Sequence, residues 1–212
     1  MYGLINIKKN VGILIFNDVD ILDFSGPYEV FHRTRTSAGI QSRLSIKTAP
    51  FRVFTVAKKL ENISVSGGLK IKPDFNFKDS PKIDILLIPG GMGTRKLLNC
   101  KVTIKWIKEH SKKTSWLTSV CTGSLLLAKA EVLKNRKATT HWGALDLLKE
   151  ISPSTKVIKN KRVVNDGIIT AAGVSSGIDM AFNLVEILCG KKVVSDTAKY
   201  IEYNRSKKIV VN

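Results

Sequence analysis

A cysteine stands where an apolar run gives way to a helix-forming run. Residues 115–120 have the composition of a buried strand, and residues 124–130 are rich in leucine and alanine. Cys121 lies between them, so the pattern places it at a strand-to-helix turn, beside helix amide groups that favour an anion. We therefore expect its thiol to ionise below the ordinary cysteine pKa of about 8.5 and to act as a nucleophile.

Small residues flank this cysteine at Ser119 and Gly123, a spacing like that of the Gly-x-Ser-x-Gly nucleophile elbow with sulfur in place of oxygen. The alternative is a structural cysteine, since free cysteine is among the most buried residue types. Cys100 and Cys189 have no comparable place in the sequence, so we expect Cys121 to be the most reactive of the three.

Two glycines, Gly90 and Gly91, follow another run that reads as a buried strand. Their backbone N–H groups could face a developing negative charge, as an oxyanion hole does together with the amide after the nucleophile, here that of Thr122. The alternative is an ordinary turn, in which glycine is common.

An acidic residue and a histidine are further candidates for this site. Asp23 follows the first predicted strand, and a carboxyl that is desolvated beside a thiolate holds its proton and can serve as a general acid. The alternative is an acid that stabilises the start of a helix. His141 ends a short predicted strand and could line the same pocket, although a lone histidine more often has a structural role.

Length and composition predict one domain. The chain has 212 residues, 43% of them hydrophobic, which suits a single core over residues 11–204 with an N-terminal extension at 1–10 and a tail at 205–212.

We find no signal peptide and no apolar run of membrane-span length, and we expect a cytoplasmic protein without membrane contact. The three cysteines form no Cys-x-x-Cys pair and lack metal-ligand spacing, so we expect no disulfide and no structural metal.

The net charge is +18, from 35 Lys and Arg against 17 Asp and Glu. Such a charge is compatible with nucleic-acid partners, but the basic residues occur as short, scattered pairs. The sequence also lacks a helix-turn-helix pattern, an RNA-binding aromatic signature and a zinc finger, so we expect no specific nucleic-acid partner.

Apolar strands alternate with amphipathic helices along the chain, which predicts an α/β fold with a parallel sheet and helices on both faces. In such sheets the site lies at the carboxyl ends of the strands, where Asp23, Gly90-Gly91 and Cys121 should meet. We also expect a strand at 44–48, one helix over 94–112, and two closing helices at 176–188 and 191–203. The first closing helix has an apolar stripe that something must cover; its members are Ala181, Leu184, Val185 and Leu188.

Five motifs occur in order and at fitting spacing. They are Asp-Phe-Ser-Gly-Pro-Tyr-Glu-Val at 23–30, Ile-Pro-Gly-Gly at 88–91, Thr-Ser-Val-Cys-Thr-Gly-Ser at 118–124, Ala-Thr-Thr-His-Trp at 138–142 and Gly-Val-Ser-Ser-Gly-Ile-Asp at 173–179. Together they resemble the ThiJ/PfpI superfamily of class I glutamine-amidotransferase-like folds, over about residues 10–203, and within it the isonitrile hydratase branch. The resemblance implies a flavodoxin-like sheet, a nucleophile-elbow cysteine, a small-molecule substrate and a homodimer.

In that branch the elbow cysteine, the next threonine and an N-terminal aspartate hydrate an isocyanide to an N-substituted formamide without a cofactor, and these positions are Cys121, Thr122 and Asp23. Thr122 also counts against peptidase activity, because the PfpI-type peptidases have histidine there. Glyoxalase and deglycase branches have glutamate near the first strand where this chain has aspartate. The sequence departs from the hydratase pattern at Glu131 and Asn135, where we would expect glycine.

Two other functions remain open. The same motifs resemble the sensor domains of AraC-type regulators, so a catalytically silent small-molecule sensor or stress-response binding protein would keep the same pocket. A glyoxalase-like enzyme is the other alternative. The sequence shows no DNA-binding module, which favours the enzyme.

Overall fold

The computed structural model describes residues 8–205 and 210–211. The strands in these residues are β1 (Lys9–Leu14), β2 (Phe51–Ala57), β3 (Ile63–Ser64), β4 (Lys70–Ile71), β5 (Phe75–Asn76), β6 (Ile85–Ile88), β7 (Trp116–Val120), β8 (Lys137–Ala138), β9 (Lys156–Val157), β10 (Val163–Asn165), β11 (Ile169–Ala171) and β12 (Val210–Val211). The helices are α1 (Ile21–Arg33), α2 (Gly93–Leu97), α3 (Lys101–Ser111), α4 (Gly123–Lys129), α5 (Leu145–Ile151) and α6 (Ser176–Tyr200), with 3-10 turns at Ile40–Leu44 and Trp142–Ala144.

Eight of the strands form one sheet in the order β12-β10-β11-β7-β6-β1-β2-β5. The central strands from β11 to β2 run parallel, and β10 pairs antiparallel with β11. Every residue of β6 is buried, and because successive side chains point to opposite faces, both faces of the sheet must be covered. Helices α1 and α6 contact each other and form one group, and α4 contacts α3 and α5 and forms a second group with them. These two groups of helices cover the two faces of the sheet. The predicted parallel α/β sheet is confirmed.

Several element boundaries differ from the sequence prediction. The expected strand at 44–48 does not form in the described structure, where a 3-10 turn ends at Leu44. Leu44 is 80% and Ile46 67% exposed, so these residues are not buried as the strand prediction assumed. The expected helix at 94–112 is two helices, because Cys100 adopts an extended conformation between α2 and α3. Gly190, with φ of 85°, divides α6 where two closing helices were predicted.

Helix α1 begins at Ile21, earlier than its apolar period suggests, so Asp23 lies in its first turn instead of at a strand end. Strand β1 begins at Lys9, within the segment expected to be an extension. In the expected tail, the two residues of β12 pair parallel with Val163 and Val164 of β10.

The apolar stripe of the last helix packs in the core of this same chain. Ala181, Leu184 and Val185 are completely buried, and Leu188 packs against the core cluster. The stripe therefore needs no partner to cover it and lends no support to the expected homodimer.

Glu131 and Asn135 have φ angles of 65° and 59°, in the left-handed region that glycine adopts most easily. These are the two positions at which the resemblance led us to expect glycine, and both residues adopt a conformation that suits glycine. Among the described helices, none combines the length and apolar character that a membrane span requires.

Candidate active site

The turn between β7 and α4 holds Cys121 in a left-handed conformation, with φ of 54°. This conformation costs a residue other than glycine about 1–2 kcal/mol, and hydrogen bonds at the turn maintain it. The Cys121 N–H points to the carbonyls of Ala171 and Ala172, at 3.1 and 2.7 Å, and its own carbonyl accepts the Thr140 hydroxyl at 2.9 Å. The predicted strand-turn-helix geometry is therefore present.

Glycine is required where two neighbouring strand ends approach each other. A Cβ on Gly90 would lie 2.5 Å from the amide nitrogen of Thr122 and 2.8 Å from Asp23 Oδ2. A Cβ on Gly123 would overlap the carbonyl oxygen of Ile88. These contacts bring the end of β6, the start of α4 and the first turn of α1 to one point, as the sequence predicted.

Asp23 is completely buried at this point. Its Oδ2 accepts the N–H of Gly90 at 2.9 Å, whereas Oδ1 has no hydrogen-bond partner among the described residues. Burial and, secondarily, the charge of Asp20 raise the pKa of this carboxyl to about 7, against the lowering influence of the Gly90 N–H and the Cys121 thiol. The side chain can therefore exchange a proton near neutral pH.

Cys121 is only 6% exposed, and the expectation that its thiol ionises easily is wrong. Burial and the neighbouring charge of Asp23 raise its pKa to about 12, and the N–H groups of Thr122 and Val174 offset only part of this effect. A helix N-terminus favours the thiolate, but desolvation and a carboxylate outweigh it here. At neutral pH the resting sulfur carries its proton.

The predicted oxyanion hole is also revised. The Gly90 N–H is engaged by Asp23, and the Gly91 N–H donates to Thr122 Oγ1 at 3.0 Å. Thr94, which is completely buried, places its hydroxyl 3.1 Å from the same Oγ1 and donates to the Gly91 carbonyl at 2.7 Å. In this arrangement the two glycine amides orient a carboxyl and a hydroxyl instead of facing an empty space.

His141 lies next to this cluster. Its Nδ1 accepts the N–H of Gly143 at 3.2 Å, and its ring packs on Gly173, where a Cβ would lie 3.0 Å from Cδ2. It lines a cavity of about 430 Å³ together with Trp142 and Val174. Since the Ala172 carbonyl of the same loop accepts the Cys121 N–H, His141 borders the site through this loop.

Three residues of the site were not identified from the sequence. Thr94 and Thr140 act through their hydroxyls. Both lie close in sequence to a motif already singled out, at Gly90-Gly91 and at His141, and this proximity could have identified them. Val174 acts through its backbone, for which residue type gives no signal. In the described part of the chain, no group of three or more His, Cys, Asp or Glu side chains is placed to hold a metal ion.

Known proteins of similar sequence and fold were compared with this chain. The isonitrile hydratase of Pseudomonas putida is 36% identical over 194 residues, which are 91% of this chain and 75% of that protein. The HTH-type transcriptional regulator GbdR of Pseudomonas aeruginosa is 20% identical over 93% of this chain, which spans about half (51%) of the regulator.

Among solved structures, that of a THiJ/PfpI family protein from Pseudomonas syringae superposes with a TM-score of 0.81 and 28% identity, over 94% of this chain and 76% of that one. This similarity confirms the flavodoxin-like fold that the resemblance implied. The model of the DJ-1/PfpI family matches residues 9–187. The chain belongs to the DJ-1/PfpI family.

Proposed function

We propose that this protein adds water to an isocyanide through Cys121 and releases an N-substituted formamide. The observation that carries the proposal is the buried pair of Cys121 and Asp23, in which a protonated thiol adjoins a carboxyl whose pKa is about 7. The name of the relative from Pseudomonas putida supports the same chemistry. A small, uncharged substrate suits a site that excludes water from both groups.

The terminal carbon of an isocyanide needs both a proton and a nucleophile, and the pair supplies both. The Asp23 carboxylate accepts the proton of the Cys121 thiol and delivers it to the carbon lone pair while sulfur attacks the same carbon. The S–H bond breaks, the S–C and C–H bonds form, and one C–N π pair moves to nitrogen. The product is a thioimidate, Cys–S–CH=N–R.

Water then completes the reaction. Its oxygen bonds to the thioimidate carbon and one of its protons goes to nitrogen, and the C–S bond of this adduct breaks while sulfur recovers a proton from the new hydroxyl. The products are the formamide and the free thiol, and no electron acceptor is needed. The N–H of Thr122, directed at the sulfur, stabilises negative charge on it in both steps, while the Thr122 hydroxyl, held by Gly91 and Thr94, lies beside the reacting atoms.

The test is an assay with cyclohexyl isocyanide, in which loss of the isocyanide infrared band and formation of the formamide are followed together. The wild type forms the formamide, Cys121→Ala forms none, and Asp23→Asn is slower by about 10²–10⁴-fold, the usual contribution of a positioned proton-transfer group. Cys100→Ala is the matched control and keeps full activity, because Cys100 lies outside the cluster. Full turnover by Cys121→Ala would refute the mechanism.

A sensor that binds without turnover is the second candidate. It is favoured by the resting thiol, which is neutral, and by the likeness to GbdR across 93% of this chain. Calorimetry with a panel of isocyanides, methylglyoxal and small amides separates the two: binding heat without product supports the sensor, and turnover of methylglyoxal alone supports a glyoxalase-like enzyme.

A further inference from the structure

An ion pair with a buried carboxylate and a partly exposed arginine lies behind the loop that contacts Cys121. Asp179, in the first turn of α6, has a side chain that is 2% exposed, and its Oδ2 accepts a bond from Arg162 Nε at 2.6 Å. Its Oδ1 accepts the hydroxyl of Tyr203 at 3.0 Å. A buried carboxylate is costly unless such partners surround it, and nothing in the proposed reaction uses this one. The pair is therefore a fixed point in the structure near the site.

Arg162 connects this fixed point to the loop between β11 and α6. Its NH2 donates to Ser175 Oγ at 3.2 Å, and its carbonyl accepts the N–H of Ala172 at 2.8 Å. One residue thus holds both ends of the loop. The Ala172 carbonyl accepts the N–H of Cys121 at 2.7 Å, so the held loop contacts the turn that carries the thiol. Between the two held positions lies Val174, whose N–H lowers the pKa of that thiol.

We propose that Arg162 and Asp179 are positioning residues, which hold this loop against the Cys121 turn so that the Val174 N–H can stabilise negative charge that develops on the sulfur. Neither residue touches the reacting atoms, so both act through the loop. The expected effect of these residues on turnover rests on the proposed function, in which the sulfur is the nucleophile. Their expected effect on the ionisation of the thiol does not depend on that function.

The direction of the effect on the thiol distinguishes positioning from a direct charge effect. Asp23 is the charged group that faces Cys121 from α1, and His141 is the titratable group that packs on the loop, at Gly173. If Asp179 acted by its charge, its neutralisation would lower the pKa of the thiol. If it acts by holding the loop, its neutralisation weakens an N–H contact to sulfur and raises that pKa.

The experiment measures the ionisation of Cys121 in the full chain, without need of turnover. Iodoacetamide pulses from about pH 7 to about pH 10 are followed by peptide mass mapping, because alkylation follows the thiolate fraction. In Asp179→Asn the rate at Cys121 falls about three- to tenfold, which corresponds to a pKa rise of about half to one unit. Arg162→Lys keeps the charge but loses the forked geometry and shows a smaller fall.

Two further variants keep the test decisive. Ser175→Ala removes one loop contact at an exposed position, so it folds even if Asp179→Asn does not, and it too slows alkylation of Cys121. Glu186→Gln breaks a different ion pair of the same helix, to Arg205 at 2.6 Å, and leaves alkylation and turnover unchanged.

In the hydration assay, Asp179→Asn lowers kcat in step with the alkylation rate, because the loop contacts the turn that carries the sulfur. An alkylation rate at Cys121 that is unchanged or faster in Asp179→Asn, with only thermal stability reduced, would overturn the proposal. If instead the alkylation results are as expected but the wild type hydrates no isocyanide, the proposed function fails and the positioning role stands.

Discussion

Asp23→Asn removes a buried charge and keeps the size of the side chain. In the folded protein the pKa of Asp23 rises from 3.8 to about 7, first through burial and second through the charge of Asp20. The difference of about 3 units corresponds to ~4 kcal/mol, at ~1.4 kcal/mol per unit. Ionisation of the Asp23 carboxyl can therefore lower the free energy of unfolding by at most this amount.

The sign follows from which state binds the proton more tightly. Because the folded pKa lies above the unfolded one, the protonated carboxyl contributes its full stability below about pH 4, and this contribution is lost as pH rises to about 7. Above that pH the wild type contains a buried carboxylate, and Asp23→Asn does not. We expect Asp23→Asn to be the more stable protein at about pH 8, by up to ~4 kcal/mol, with a gain that vanishes near pH 4.

Urea unfolding of both proteins at a series of pH values measures this difference. Asp84→Asn is the matched control, because the pKa of Asp84 is shifted in the opposite direction. Burial raises this pKa, but the Asn10 N–H and the Lys82 ammonium outweigh burial and lower the net pKa. Asp84→Asn should therefore destabilise at neutral pH and lose this effect in acid. The reasoning is refuted if Asp23→Asn changes stability equally at all pH values, or if it is the less stable protein at about pH 8.

Three further predictions concern the cysteines, the glycine contact and the assembly. Burial raises the pKa of Cys100, but the Thr103 hydroxyl and nearby amides outweigh it and lower the net value. Because the pKa of Cys121 is raised, we revise the order expected from the sequence: iodoacetamide at neutral pH should modify Cys100 before Cys121, and the reverse order in peptide mapping would contradict this. Gly90→Ala should lose activity and about 1–3 kcal/mol of stability, whereas Gly143→Ala, at an exposed site, should lose neither, as turnover and urea unfolding would show. The homodimer remains a prediction, and a monomer by light scattering at micromolar concentration would exclude it.

The sequence predicts those parts of the site that depend on local order along the chain. The elbow at Cys121 follows from a strand, a turn and a helix in direct succession, and the Gly90-Gly91 turn follows from an apolar run that ends in glycine. Parallel strands bring such turns to one edge of the sheet, so the meeting of Asp23 with these segments could also be predicted.

What the sequence does not predict is how the partners act on one another. The pKa of Cys121 depends on burial and on a carboxyl far away along the chain, so the position at a helix start indicates the wrong direction. The Gly90 amide could face a substrate or a carboxyl, and only the packed structure shows that it bonds Asp23. The N–H of Val174 is invisible to residue type, because any residue carries the same amide.

A thiol that keeps its proton at rest is protected from oxidation. Peroxide attacks the thiolate, and the Cys121 sulfur is both neutral and 6% exposed in the free protein. Under the proposed mechanism this sulfur becomes reactive only when a substrate able to take the proton is present, so between turnovers oxidants would meet a largely unreactive thiol. We therefore expect the purified protein to keep its active site in air without added reductant, a durability that enzymes with a permanently ionised cysteine lack.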